Sequence, residues 1–152
     1  MKTYCLTLSQ VFPSTHPRAW QPTHFKENLR RSKLHTIRAN YDYWAKRFEK
    51  IKTGEACLSV RQWVGKPYGK GSTQKELARL TREDGIGLQK LSFFRDRDGM
   101  ISLKFFMVEG RDVDSDQLAW NDGLSVEDWR NWFRDYDFSK PMAIIQFTNF
   151  RY

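Results

Sequence analysis

The chain has 152 residues, 39% hydrophobic, 15% aromatic and 29% charged, with a net charge of +8. That composition suits one globular domain of 1–152 and excludes a disordered or collagen-like chain. No apolar run approaches the ~18 residues of a membrane helix, and the start lacks a signal-peptide pattern, so a cytoplasmic protein with no membrane partner is expected.

The charge is unevenly placed. Residues 1–82 hold 17 Lys+Arg against 5 Asp+Glu, whereas residues 83–152 hold 9 against 13. Such asymmetry suits a polyanionic partner, most simply nucleic acid; the competing reading is a basic surface with no special partner. Cys5 and Cys57 sit in apolar-periodic segments and read as buried thiols. His16, His24 and His35 are not spaced as zinc ligands, so neither a metal nor a cofactor is expected.

Tyr4, Leu6 and Leu8 alternate with polar neighbours and predict a strand over 2–9. Pro13, Pro17 and Pro22 make 10–23 a long loop. A short basic helix follows over 23–31, with Thr23 as N-cap. Residues 34–38 read as a short strand. Asn40 caps the clearest helix, 40–52, in which Trp44, Phe48 and Ile51 recur at helical spacing before Gly54.

Residues 56–64 alternate as a strand, with Arg61 and Trp63 on one face. A Gly/Lys loop, 65–72, follows. Strands are predicted at 73–80, 86–94 and 100–108, with Asp98-Gly99 as a hairpin turn between the last two. Helices are expected at 114–120 and 125–133; the second starts with a Ser125/Asp128 capping box and carries Trp129, Trp132 and Phe133 on its apolar face. Residues 141–152 read as a last strand. Strands and helices do not alternate regularly, which favours an α+β mixed barrel with peripheral helices over a doubly wound sheet.

The stretch 33–38, Lys-Leu-His-Thr-Ile-Arg, is the most distinctive. A Lys of lowered pKa beside a Thr hydroxyl has a chemical use, because it can activate the hydroxyl as a nucleophile. In an unbroken strand Lys33 shares a face with His35 and Ile37, and Thr36 points the other way. The two converge only if the chain bends between them. The plainer reading is a strand with polar ends. Lys33 and Arg38 also suit phosphate neutralisation. In the Gly/Lys loop, Lys66 and Lys70 are placed for phosphate contacts and Tyr68 for stacking on a base. Arg61 and Trp63 are candidates to line a nucleobase site. His16, in its Pro-bounded loop, is placed to cover a cleft, or serves simply as a turn histidine.

The Lys33-x-x-Thr36-Ile37-Arg38 element, a following helix, and Gly54-Glu55 opening a strand resemble the signature of ASCH domains, within the PUA-like superfamily. Asn121-Asp122-Gly123-Leu124-Ser125 before a Trp-rich helix, and the closing aromatic segment, fit the same order. The resemblance runs from Lys33 to the C-terminus, and residues 1–32 look like an elaboration found in small bacterial and phage-encoded members. It implies a PUA-like mixed β-barrel with flanking short helices and a cleft for RNA or a modified nucleobase. Some similar proteins are amidohydrolases acting on N4-acetylcytidine. By that resemblance Lys33 is the activator and Thr36 the nucleophile, while Asp122 stands where the family has a Glu acid/base. Asp is one methylene shorter than the Glu of that pattern. Three functions are thus expected in order: RNA or nucleobase binding, N4-acylcytidine hydrolysis, and a protein-interaction module without chemistry.

Overall fold

Among the described residues, 1–95 and 101–152 of a computed structural model, eight strands divide between two sheets. In the smaller sheet β1 (Lys2–Thr7) pairs in parallel with β3 (Ala56–Val64), which pairs antiparallel with β4 (Thr73–Leu80). The larger sheet is antiparallel. Its order is β2 (His35–Arg38), β8 (Met142–Gln146), β5 (Gly87–Arg95), β6 (Ile101–Val108) and β7 (Arg111–Val113). The helices are α1 (Phe25–Asn28), α2 (Tyr41–Lys52), α3 (Ser115–Asn121) and α4 (Val126–Trp132). The architecture is α+β, and no ladder among the described residues closes either sheet into a barrel.

Local sequence explains most of these elements. The Asn40 side chain accepts a hydrogen bond from the Tyr43 N–H and opens α2, and Trp44, Phe48 and Ile51 are its buried face. Gly54 then takes a φ of 85°, a left-handed value that ends the helix and releases the chain into β3. Strand β8 is buried along its whole length, because it lies between β2 and β5. A strand flanked on both edges and covered on both faces needs a nearly continuous apolar run, which Met142–Gln146 supplies.

Three segments depart from their predicted form. The basic helix shrinks to one turn, Phe25–Asn28, and Thr23 does not cap it. His24 is the N-cap residue; Thr23 Oγ1 donates to Ser9 O at 2.8 Å and accepts from the Phe25 N–H at 3.4 Å. The Asn28 carbonyl accepts from the N–H groups of Arg31, Ser32 and Lys33, so the chain turns where more helix was expected. The final strand stops at Gln146, well short of the predicted 152; the Phe147 N–H still donates to Leu34 O in the register of the β2–β8 pairing, and the chain beyond it forms no strand. Strand β7 had no periodic signal, being three residues long. The predicted Asp98-Gly99 turn lies outside the described residues.

Candidate functional site

A cavity of about 130 Å³ lies where the two sheets meet α1 and α4. Lys33, Thr36, Arg38 and Asp122 line it, with Phe25, Trp132, Phe133 and Tyr136 among the apolar walls. The polar residues arrive from different elements. Lys33 leaves the turn after α1, Thr36 and Arg38 sit on β2, and Asp122 follows the last residue of α3. Lys33 lies outside β2. It makes an isolated bridge to Asp122, and the Leu34 N–H donates to Asn121 O at 2.7 Å. This break in strand geometry lets Lys33 and Thr36 reach the same cavity.

Lys33 is 1% exposed, and its ammonium is surrounded by acceptors. Nζ donates to Asp122 Oδ1 at 2.9 Å and to the Asp122 carbonyl at 2.6 Å. It also lies 4.0 Å from the centroid of the Phe25 ring, a cation–π contact. Burial pulls the Lys33 pKa below its ordinary value; Asp122 opposes that pull, and the Arg38 charge adds to it. Burial alone would push the Asp122 carboxyl up. Lys33 and His35 outweigh it, and Asp122 is held below the usual carboxylate range. The second Asp122 oxygen, Oδ2, accepts from the Trp129 indole N–H at 3.1 Å.

Arg38 joins the two sheets. Its guanidinium donates to Thr36 Oγ1 at 2.8 Å and to Ile37 O at 3.0 Å. It also donates to Thr7 O, at the end of β1, at 2.7 Å. Thr36 Oγ1 is therefore an acceptor from Arg38, and its own hydrogen remains free to donate. Behind this layer, the Asn121 amide donates to the Tyr152 hydroxyl at 3.1 Å, and that hydroxyl lies 2.6 Å from His35 Nε2. Tyr152 Oη and His35 Nε2 share this hydrogen bond, and the tautomer of the ring sets which of them donates. Nδ1 lies 3.7 Å from Asp122 Oδ1, too far for a hydrogen bond but aimed at its charge. Burial pushes the His35 pKa down, so the neutral ring is favoured.

Gly123 completes the frame. It has a φ of 81°, and a Cβ there would stand 3.0 Å from Lys33 Cβ. Both the backbone and the lysine stem therefore require glycine. Gly123→Ala is expected to destabilise the protein by at least ~1 kcal/mol, read by chemical denaturation. An unchanged midpoint would mean that this turn relaxes freely.

Other predicted site residues lie elsewhere. His16 is buried against α4: its Nδ1 accepts from the Arg18 N–H, and its Nε2 donates to Asp128 O at 3.0 Å. It packs on Phe12 and Trp132 and is not among the cavity's lining residues. Arg61 donates to Ser59 Oγ at 2.8 Å. Trp63, Lys66 and Tyr68 line a separate trough, and Lys70 sits beyond it in the same loop. Among the described residues, no group of three or more His, Cys, Asp or Glu side chains is placed to hold a metal ion. Sequence reasoning had assigned Trp129 to the core alone. A buried indole N–H needs an acceptor, and that requirement was the available signal for its bond to Asp122.

No family model, curated protein or solved structure matches this chain.

Proposed function

We propose that the chain is a PUA-like, ASCH-type protein that binds RNA or a modified nucleobase, with the base in the Lys33–Thr36–Arg38–Asp122 cavity. The observation that supports this reading is the unspent hydrogen-bonding capacity gathered there. The Thr36 hydroxyl hydrogen and the remaining Arg38 N–H groups are donors, and the Asp122 carboxylate keeps lone pairs free. Donors beside one acceptor suit a ligand edge that carries ring and carbonyl acceptors beside an amine. The pairing edge of cytosine has that pattern. The size fits too: about 130 Å³ holds one small ring, with the sugar and any phosphates outside.

A second reading rests on Thr36 and Lys33 lining one cavity. It is hydrolysis of an N4-acylated cytidine. Asp122 takes a proton from the Lys33 ammonium across their 2.9 Å contact, and Thr36 Oγ1 attacks the acyl carbon as its own proton passes to the Lys33 amine so freed. The bond to N4 breaks, and N4 takes that proton. Water then cleaves the acyl-threonine ester, releasing the acid and free Thr36.

Titration calorimetry with N4-acetylcytidine, beside chromatography for released cytidine, tests both readings. The wild-type protein is expected to bind, and Thr36→Val to weaken binding about tenfold by removing one hydroxyl contact. Cytidine release that Thr36→Val and Lys33→Met both abolish, with the fold intact by circular dichroism, would support hydrolysis. Absence of binding to both N4-acetylcytidine and cytidine would overturn the nucleobase reading.

A further inference from the structure

The cavity opens beside a larger aromatic surface that the reading above leaves unused. Two troughs of about 520 and 530 Å³ meet along Trp63 and Gly65. Both adjoin the cavity: Phe25 lines the cavity and the first trough, and Ser9 lines the cavity and the second. The surface carries exposed rings. Tyr68 is 87% exposed and Trp20 70% exposed, and Trp63 lies with its centroid 4.9 Å from that of Tyr68.

Burial does not account for these rings, and their backbone is unusual. Tyr68 has a φ of 57° and Trp20 a φ of 69°, left-handed values that bulky side chains rarely adopt. Strain of this kind persists where the surroundings over-determine it, and it concentrates at functional surfaces. Here it presents two large exposed rings along one trough. Lysines accompany them: Lys66 lines the second trough, Lys26 and Lys75 line the first, and all three are exposed. Among the described residues, Glu27 is the one carboxylate lining either trough, and it stands 4.0 Å from His24.

We propose that this groove binds the nucleotides flanking the base held in the cavity, so that the protein's ligand is a single-stranded nucleic acid rather than a free nucleoside. Trp63, Tyr68 and Trp20 are the stacking platforms, and Lys66, Lys75 and Lys26 neutralise the phosphates. Rings spaced between lysines form the surface that single strands use, because every base offers a π-face and every linkage a charge. The assignment rests on the nucleobase reading for the direction of the strand, though not for the groove's own affinity.

The test uses a fluorescein-labelled ten-nucleotide oligouridine, read by anisotropy, beside free N4-acetylcytidine, read by calorimetry. Oligomer binding is expected to weaken as salt rises. Trp63→Ala and Tyr68→Ala are each expected to weaken it roughly 5- to 100-fold, and Tyr68→Phe to retain it. Nucleoside binding should be the same in all three variants. Oligomer binding that ignores loss of either ring would overturn the proposal and leave the groove to the other ligand such rings accept, a proline-rich peptide. An oligomer that fails to bind the wild-type protein would overturn it equally. Ring-dependent oligomer binding without nucleoside binding would sustain the groove and count against the cavity alone.

Discussion

Asp122→Leu is expected to lower the unfolding free energy by about 3–5 kcal/mol, and the Lys33→Met/Asp122→Leu double variant to recover most of that loss. The reason is the placement of the pair. Lys33 is 1% and Asp122 3% exposed, and Nζ lies 2.9 Å from Oδ1. Removing the carboxylate strands a buried ammonium and deprives the Trp129 N–H of its acceptor. Removing both charges leaves an apolar contact beside Phe25, with the unpaired Trp129 N–H as the remaining buried polar cost. For a chain of this size the single variant should melt roughly 10 °C lower. Denaturant titration of the four proteins measures the coupling directly. Additive losses in the double variant would show that the pair does not dominate the local energetics. A large recovery would carry a functional implication. The charges would then contribute little to folding, so their retention in the cavity would point to ligand binding or chemistry.

Acid should destabilise the fold in two stages. His35 has a folded pKa lowered by burial from its ordinary 6.5. Below that value the unfolded chain binds a proton that the folded chain refuses, so stability falls as pH drops through this range. The loss approaches about 1.4 kcal/mol per pH unit while only the unfolded state is protonated. Asp122 acts lower. Its folded pKa lies beneath the ordinary 3.8, so its contribution is complete above that value and disappears as pH falls through the folded one. Lys33 acts at the alkaline end. Its pKa is lowered too, so stability should rise as pH climbs toward the ordinary 10.5. Thermal melts at pH 7.5 and 5.0 isolate the first stage. The wild-type protein should lose stability over this interval, and His35→Gln should lose clearly less. Equal losses in both proteins would mean that His35 protonates freely in the folded state.

Much of the architecture was legible in the sequence. Strand β3 spans the residues its alternation marked, β4 spans its predicted 73–80, and α2 starts at its asparagine cap and stops before its glycine. These elements are long, periodic and punctuated, so local forces and burial agree on them. The short elements were less legible. One turn of α1 and three residues of β7 carry too few residues for a period to emerge.

The candidate site divides along the same line. Composition and motif singled out Lys33, Thr36, Arg38 and Asp122 as residue types capable of binding or chemistry. That Lys33 and Thr36 share a cavity depended on the Asn28 carbonyl, which gathers three N–H groups and takes Lys33 out of the strand. The bond from Trp129 to Asp122, and the tie from Arg38 to the end of β1, were equally beyond sequence reasoning. The sequence by itself determined the apolar periods, the caps and the unequal charge, because each is set by neighbours within a few residues. Only the tertiary structure decided which polar groups meet and which are dried. Those contacts join residues far apart in the chain, Lys33 and Asp122 by 89 positions and His35 and Tyr152 by 117, and burial sets their charges only once the chain has closed around them.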